Sequence, residues 1–371
     1  MLALCAPAAA GPPYLCVSKK KYERGAKVAG VIKNSPCGAK QLDISSTLQG
    51  PAGATGATGA AGDDGQMRIY GDGSAGALTI SADTTLNSTD HLNLQYTDIT
   101  INAGTTLTVQ SGTVLRCTGT FTNNGTLRVG TFAYGSRFNG VADTNTRYAA
   151  NRGAHPGVAR SAAMNGEISA AAGTATAGLG GISLSEMEAR QIRYPGGVGG
   201  GGGGFAGTQF GAHGGGTLVV LCAGPLVNNG SITANGDNGS AGAGAGGILI
   251  FASPTAVTNG AAGVISANGG KGQDSNIDIG ASGGGGGGII HFISPAITIA
   301  VAGNVTANGG AAGSDASNVT ADPASAGGGG GACGGDGGSG GTVAIGGATA
   351  AASAGGAGYV LQTPADPTAL F

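Results

Sequence analysis

The sequence predicts an all-β protein: a glycine-rich parallel β-solenoid with packed polyglycine arcs, preceded by a short collagen-like stem. Three observations lead to this fold class. Glycine contributes 80 of the 371 residues, while charged residues make up 10% and aromatic residues 4%, so the chain lacks the side chains for a large conventional core. A stretch near the N-terminus has glycine at every third position. Short apolar runs separated by Asn-Gly turns recur along the remainder.

The first 49 residues divide into an apolar start and a basic head. Residues 1–10 have the alanine-rich composition of the end of a secretory signal, although the basic segment that normally opens such a signal is missing. The sequence leaves open whether they are removed. Residues 11–49 carry a run of Lys and Arg flanked by Cys16 and Cys37, which we predict to form a disulfide. No nucleic-acid-binding motif accompanies the basic residues, so no nucleic-acid partner is predicted.

Residues 50–67 form the predicted stem and read GPAGATGATGAAGDDGQM. A collagen triple helix needs glycine at every third residue because only glycine fits at its axis. The glycines with this period are Gly50, Gly53, Gly56, Gly59, Gly62 and Gly65. So few triplets cannot hold three chains together alone, and the flanking regions would have to assemble them. We predict a trimeric stem; a flexible Gly/Ala linker is the alternative.

Residues 68–130 have the alternation of a β-region and are predicted to be the first part of the solenoid. Apolar residues alternate with Thr and Ser between Gly or Asn turns, as expected for short strands with one buried face. The predicted inward stripe consists of Ile99, Ile101, Leu107, Val109, Val114, Leu115, Phe121, Leu127 and Val129. Three isolated cysteines, Cys117, Cys222 and Cys333, are predicted to be small buried residues rather than reactive thiols.

Residues 131–195 interrupt the alternation and are predicted to be an insertion that contains a short helix. Ser185 and Glu188 have the spacing of a capping box ahead of the sequence MEARQIR, and Pro195 follows the end of that helix. The segment also holds most of the arginines outside the head. A long insertion of mixed chemistry in a repetitive fold is a usual place for specificity.

Residues 196–371 are predicted to be glycine-rich solenoid repeats. Each full repeat has two short apolar strands followed by Asn-Gly, at Asn235, Asn268 and Asn308. We predict parallel β rungs over residues 99–129 and 215–345, with an inward set of Leu218, Val220, Leu249, Phe251, Ile290 and Phe292. Polyglycine runs lie between the strands, among them 199–204, 283–288 and 327–331. Their recurrence at one place in the repeat favours packed extended helices with three residues per turn over disordered linkers.

The sequence offers no catalytic constellation. Two GxSxG matches, at 280–284 and 337–341, do not lie between a buried strand and a helix, as a nucleophile elbow requires. The segment 269–276 is close to a calcium-binding nonapeptide, and an aspartate follows each Asn-Gly site: Asp237, Asp274 and Asp315. These are the candidate calcium ligands, with polar turn residues as the simpler interpretation. We predict no metal, no cofactor and no enzymatic activity.

Residues 14–62, from YLCVSKKKYERG to GATGATGAAG, resemble the N-terminal region of bacterial collagen-like surface proteins. In that region a Cys-x-x-Lys-Lys segment, a second cysteine and a short connector precede Gly-x-y triplets. The resemblance implies export, display on a cell surface and the pairing of Cys16 with Cys37. This chain has fewer triplets than a long collagen shaft. The C-terminal half resembles glycine-rich β-solenoid surface proteins and, more loosely, phage tail-fibre adhesins with bundled polyglycine helices.

Together these features predict an extracellular structural protein, the subunit of a surface fibre, filament or sheath, that self-associates as a homotrimer or filament. The alternative is a receptor-binding adhesin of a phage tail fibre or cell surface, with a surface glycan or receptor as partner. A polysaccharide-active β-helix enzyme would need clustered carboxylates, and the only glutamates after the head are Glu167, Glu186 and Glu188. No apolar run reaches transmembrane length. The expected location is secreted or on the cell surface, or a virion.

Overall fold

The computed structural model divides the chain into two compact units, Met1–Met67 and Arg68–Phe371. The residues that it describes are 14–44 except 25, 26, 28 and 34; 69–130 except 87–92; and 154–371 except 155, 169–173, 197, 205–208, 240, 277–278, 315–323 and 345–349. The predicted stem at 50–67 lies outside these residues, as do its glycines and the residues 1–10.

The first unit contains a small antiparallel sheet that the sequence reading did not predict. Its elements are β1 (Tyr14–Ser18), α1 (Lys19–Tyr22), β2 (Val31–Lys33) and β3 (Gln41–Asp43), and the strand order is β2-β1-β3. Cys16 and Val17 of the central strand are buried. Cys16 is joined to Cys37 by a disulfide with Cα atoms 5.5 Å apart, which ties the middle strand to the loop before β3.

The second unit consists mainly of three parallel six-stranded sheets. Sheet I contains β4 (Leu78–Ile80), β7 (Ile99–Ile101), β10 (Phe121–Asn123), β14 (Leu226–Asn228), β17 (Val257–Asn259) and β20 (Ile297–Ile299). Sheet II contains β5 (Thr84–Leu86), β8 (Thr106–Val109), β11 (Thr126–Val129), β15 (Ser231–Thr233), β18 (Val264–Ser266) and β21 (Val305–Thr306). Sheet III contains β6 (Gln95–Tyr96), β9 (Thr113–Cys117), β13 (Thr217–Cys222), β16 (Ile248–Ala252), β19 (Ile289–Ile293) and β23 (Tyr359–Thr363).

The chain visits the three sheets in the order I, II, III and then returns to sheet I. We call each such passage a coil, and the strands above form six coils. Strands of successive coils pair in register; for example, Phe251 is the partner of Val220 on one side and of Phe292 on the other. Outside the coils, β12 (Thr174–Ala175) pairs antiparallel with β22 (Val343–Ala344), and a helix, α2, spans Glu186–Gln191.

The inner faces of the three sheets form one apolar core, because alternate side chains of each strand point to the same side. All six residues of the predicted inward set, from Leu218 to Phe292, belong to this core. The rings of Phe251 and Phe292 stack with centroids 5.6 Å apart. One residue of the predicted stripe was misplaced: Val114 packs on the outer side of sheet III. The alternation of β9 turns Leu115 and Cys117 inward, so Val114 faces outward.

Two of the three cysteines that are isolated in the sequence are paired in the structure. Cys117 and Cys222 are register partners on β9 and β13, and they form a disulfide with Cα atoms 4.5 Å apart. Both are buried, as predicted, but a separation of 105 residues gave no hint of the pairing. Cys333 is a free buried thiol, and burial raises its pKa to about 12.

The outer face of sheet III is covered by the insertion and by the end of the chain. Helix α2 begins at the predicted capping box: Ser185 Oγ accepts from the Glu188 N–H, and the Glu188 carboxylate accepts from the Ser185 N–H. Hydrogen bonds to the Glu188 carboxylate from the Ser185 N–H, the Ser185 hydroxyl and Arg160 lower the pKa of Glu188 to about 2. Ala189 of α2 belongs to a second apolar cluster together with Leu221 and Ile250 of the sheet, and Phe371 packs against this cluster.

All long connections leave the coils at the same corner. They run from sheet II to sheet III, over residues 130–216, 234–247, 267–288 and 307–358. The turns at the other two corners are short, such as 124–125 after β10. The sequence reading treated the insertion and the glycine-rich arcs as separate features. The structure brings both to one side of the coils, because each occupies the same place in its repeat.

Phe251→Asp is expected to abolish cooperative folding of the second unit. Phe251 is 2% exposed in the core, so an aspartate there would be a buried charge without a partner, at a cost of several kcal/mol against a typical stability of roughly 5–15 kcal/mol. The matched control is Val264→Asp, since Val264 is 40% exposed on β18. Circular dichroism during heating is the measurement. Equal melting temperatures for the two variants would contradict this core.

Candidate functional site

The glycine-rich connections pack side by side through backbone hydrogen bonds that recur every third residue. The segment 281–288 is the clearest case, and its N–H groups point in turn to three different neighbours. To the first neighbour, the N–H groups of Gly283 and Gly286 donate to the carbonyl groups of Gly328 and Gly331 at 3.0 and 2.9 Å. To the second, Gly284 and Gly287 donate to Ser353 and Gly356 at 3.1 and 2.9 Å. To the third, Gly285 and Gly288 donate to Gly270 and Ala267 at 3.0 and 2.7 Å. A period of three is that of an extended helix with three residues per turn and no internal hydrogen bonds.

The carbonyl groups of the same segment are bonded to three further neighbours. One neighbour donates from the N–H groups of Ala243 and Gly246, at 3.2 and 2.9 Å, and a second donates from Gly338 and Gly341, at 2.8 and 2.7 Å. The third donates from Gly310 and Gly313, at 2.7 and 2.9 Å. Segment 281–288 is thus surrounded by six others. We call this arrangement of the segments between 198 and 358 the glycine lattice. Its hydrogen bonds satisfy the buried N–H and carbonyl groups of these connections, as strand pairing does in a sheet.

Only glycine fits at most positions in the interior of the lattice. A Cβ built on Gly285 would collide with the carbonyl oxygen of Gly244, and one on Gly283 would collide with that of Gly338. Residues 283–288 are all buried. The sequence favours a packed arc over a disordered linker for this run, and in the structure the run is packed on all sides by backbone.

Gly285→Val is expected to lower the melting temperature of the second unit by 10 °C or more, on the order of several kcal/mol, because backbone atoms on several segments must move. Gly303→Val is the control, because a Cβ there meets no atom within 4 Å. Amide hydrogen exchange across 283–288 is the second readout. Strong protection in the wild type is expected; exchange at unfolded rates would contradict the lattice.

The inner corner between sheets I and II contains a ladder of buried asparagines that the sequence reading missed. Asn123 Nδ2 donates to Asn228 Oδ1 at 2.7 Å, and Asn228 Nδ2 donates to Asn259 Oδ1 at 2.7 Å. Asn259 closes the ladder by donating to the Gly263 carbonyl at 2.9 Å. The available signal was the recurrence of Asn at the end of three successive sheet I strands, β10, β14 and β17. The ladder satisfies buried amides and keeps successive coils in register.

Two of the three candidate calcium ligands, Asp237 and Asp274, contact other side chains or backbone groups. Asp237 lies 3.3 Å from Nδ1 of His213. Asp274 accepts from the Ser314 N–H and pairs with Lys271 at 2.9 Å, and these contacts lower its pKa to about 2. Asp315 lies outside the described residues. Within the described part of the chain, no three His, Cys, Asp or Glu side chains form a group suited to a metal ion. The calcium ligands stay a prediction of the sequence alone.

His291 is a buried titratable residue between sheet III and the insertion. It lies on β19 and is 1% exposed, and its Nε2 is 2.8 Å from Thr363 Oγ1. Its Nδ1 has no hydrogen-bond partner in the described structure. Burial, and to a lesser extent the charges of Arg193 and Arg190, lower the pKa of His291 to about 4. Protonation of His291 is therefore unfavourable in the folded state.

Acidification is expected to destabilise the second unit through His291. Its folded pKa of about 4 lies below the unfolded value of about 6.5, so the unfolded state binds more protons between these values and stability falls as pH falls from 6.5 towards 4. Between pH 6.5 and 5 the loss is about 2 kcal/mol. Urea unfolding at several pH values measures it. His291→Gln should remove most of this slope, whereas His213→Gln, at a partly exposed site, should keep it; a slope unchanged in His291→Gln would refute the assignment.

The insertion adds two outer segments to the lattice and gives them large apolar side chains. Residues 161–167 and 176–182 run antiparallel, with N–H to O bonds from Met164 to Leu179 at 2.8 Å and from Glu167 to Thr176 at 2.9 Å. Their inner side bonds the lattice, for example Gly178 to Gly327 at 2.9 Å. Their outer side exposes Met164, Leu179 and Ile182, each by more than half.

Helix α2, which follows residue 182 in the chain, carries a further exposed apolar side chain. Met187, on its first turn, is 72% exposed. Two ion pairs fix the helix: Arg160 with Glu188 at 2.6 Å and Arg190 with Glu186 at 2.7 Å. Both are exposed and contribute little stability, but they orient the surface around Met187. We call Met164, Leu179, Ile182 and Met187 the apolar row.

Comparison with protein-family models, with curated proteins and with solved structures gave no match for this chain. Among the helices in the described ranges, none has the length and apolarity to cross a bilayer. The function is therefore argued from the lattice, the coils and the apolar row themselves.

Proposed function

We propose that this chain is a structural module of an extracellular fibre, filament or sheath, built as a β-solenoid with a polyglycine lattice on one side. The observation that carries the proposal is the bonding of segment 281–288 to six neighbours. Its buried glycines satisfy their backbone groups through one another, so much of the body is held by repeated main-chain contacts. Such a body resists deformation and presents few charged groups, as suits a building element.

The extracellular location and the trimeric stem belong to the same proposal. They are supported by the resemblance of residues 14–62 to collagen-like surface proteins and by the triplets from Gly50 to Gly65. The disulfides Cys16–Cys37 and Cys117–Cys222 are in keeping with an oxidising compartment. A stem that joins three chains would carry three solenoid modules.

A receptor-binding adhesin is the second candidate, and the apolar row favours it. Exposed large apolar side chains that cluster on a protein surface mark interaction sites. Of the strongly exposed apolar residues of the second unit, most lie between Met164 and Phe210, whereas the exposed positions in the rest of the lattice carry small or polar residues such as Ala311, Ser314 and Asn308. In this version the lattice is the rigid support and the insertion is the contact surface.

Immunogold electron microscopy of the particles or cells that carry the protein tests the two candidates. Antibodies raised against the second unit are expected to label fibres or sheaths along their length. Label confined to fibre tips would instead support the adhesin. Label restricted to the cell interior would overturn both. As a paired test, Leu179→Ser with Ile182→Ser should abolish attachment to the target surface only if the apolar row is an adhesive site. Val264→Ser is the control, because Val264 is an exposed apolar residue outside the apolar row.

A further inference from the structure

The two ends of the stacked coils are covered to different extents. At the N-terminal end, Ile80, Leu86 and Tyr96 of the first coil are 2%, 3% and 5% exposed. The segment before β4 bonds to β6 there, for example from the Ala75 N–H to the Gln95 carbonyl at 2.9 Å. At the C-terminal end, Val360 is 40% exposed although it follows the fully buried Ile290 in the same inward row. The core is thus covered at one end and open at the other.

The described residues after β23 do not cover the open end. After β23, the C-terminal residues turn to the outer side of sheet III, where Phe371 packs edge-on against Tyr194 at 5.3 Å and Thr368 Oγ1 lies 3.2 Å from the Tyr70 hydroxyl. No described strand pairs with the free edges of β20, β21 and β23. Half-buried Ile297 and Ile299, and Val301 at 42% exposure, lie beside these edges.

The outermost segment of the glycine lattice belongs to the same end. Residues 350–358 lead directly into β23, and they accept hydrogen bonds on one side from Gly284 and Gly287. On the other side, Ala354 and Ala357 are exposed, and their N–H groups bond to no described residue. We call the free edges of β20, β21 and β23 together with 350–358 the C-terminal end face.

The C-terminal end face lacks the charges that normally protect a free edge. Residues 289–314 and 350–363 contain no Asp, Glu, Lys or Arg. Exposed β edges in monomeric proteins usually carry charged residues, because an uncharged edge is a template for pairing with another chain. The opposite end is different, since residues 69–98 carry four aspartates, Asp72, Asp83, Asp90 and Asp98, and no Lys or Arg.

We infer that the C-terminal end face binds the same face of a second copy of this chain, end to end about a two-fold axis. The partner must offer both free strand edges and an extended small-residue segment, and a second copy offers both. A head-to-tail contact would place the uncharged, open end against the acidic, covered one. An isologous contact, in which both copies use the same surface, joins the open core end of one copy to that of the other and is complete with two copies. This inference rests on the proposed structural role, in which it links one module to the next.

Sedimentation equilibrium of the full chain tests the contact, because end-to-end pairing of two chains, or of two stem-linked trimers face to face, doubles the mass. The wild-type mass is expected to approach twice the value found at high dilution. Val360→Asp and Ala354→Lys should each hold it at the lower value, a twofold loss, since they put like charges across the axis. Thr79→Lys, on an exposed position of β4 at the other end, should leave the doubling intact.

The outcomes separate this inference from the proposed function. If Val360→Asp fails to fold, Ala354→Lys decides, because residue 354 is exposed on the surface. Doubling that survives Ala354→Lys, or that is lost in Thr79→Lys instead, overturns the two-fold contact. If immunogold label lies along fibres but Ala354→Lys keeps the wild-type mass, the two-fold contact is wrong and the structural role stands. If Ala354→Lys halves the mass but the label lies only inside cells, the contact stands and the structural role is wrong.

Discussion

The second unit depends on one constraint: the main-chain groups of buried glycine segments must bond to neighbouring segments, because they have no partner within their own helix. Segment 281–288 meets this constraint with N–H groups directed to three neighbours and carbonyl groups bonded by three others. The close approach needed for these bonds excludes a Cβ at positions such as Gly285. The high glycine content of the described lattice segments is therefore a packing requirement.

The coils provide the spacing that makes the lattice possible. Paired strands lie about 4.8 Å apart, and each coil from the third onward sends out its connection at the corner between sheets II and III. Successive connections consequently begin one strand spacing apart, close to the separation at which extended backbones hydrogen-bond. The Asn123–Asn228–Asn259 ladder keeps these coils in register. A slip between coils would misalign the lattice as well as the core.

Much of this fold follows from local patterns in the sequence. The inward set from Leu218 to Phe292 was readable from alternation along single strands, and the helix at 186–191 from its capping box. The contacts between segments that are distant in the chain could not be predicted from the sequence. The Cys117–Cys222 pair, the outward turn of Val114 and the shared corner of all long connections depend on which strands become neighbours. For the candidate site, the recurrence of glycine runs predicted packing, but the choice of neighbours and the exposure of the apolar row required the fold.

The lattice also explains where this chain can vary. In an extended helix with three residues per turn, every third residue of an outer segment faces solvent. Asn308, Ala311 and Ser314 are exposed with that period, and Gly310 and Gly313 between them are buried. Lys271 and Asp274 are spaced likewise and form an exposed ion pair. Side chains that could recognise a partner are thus confined to outer segments and the insertion, while the interior must stay glycine. A protein built this way changes its contacts by altering single outward positions or the insertion, and its rigid body stays the same.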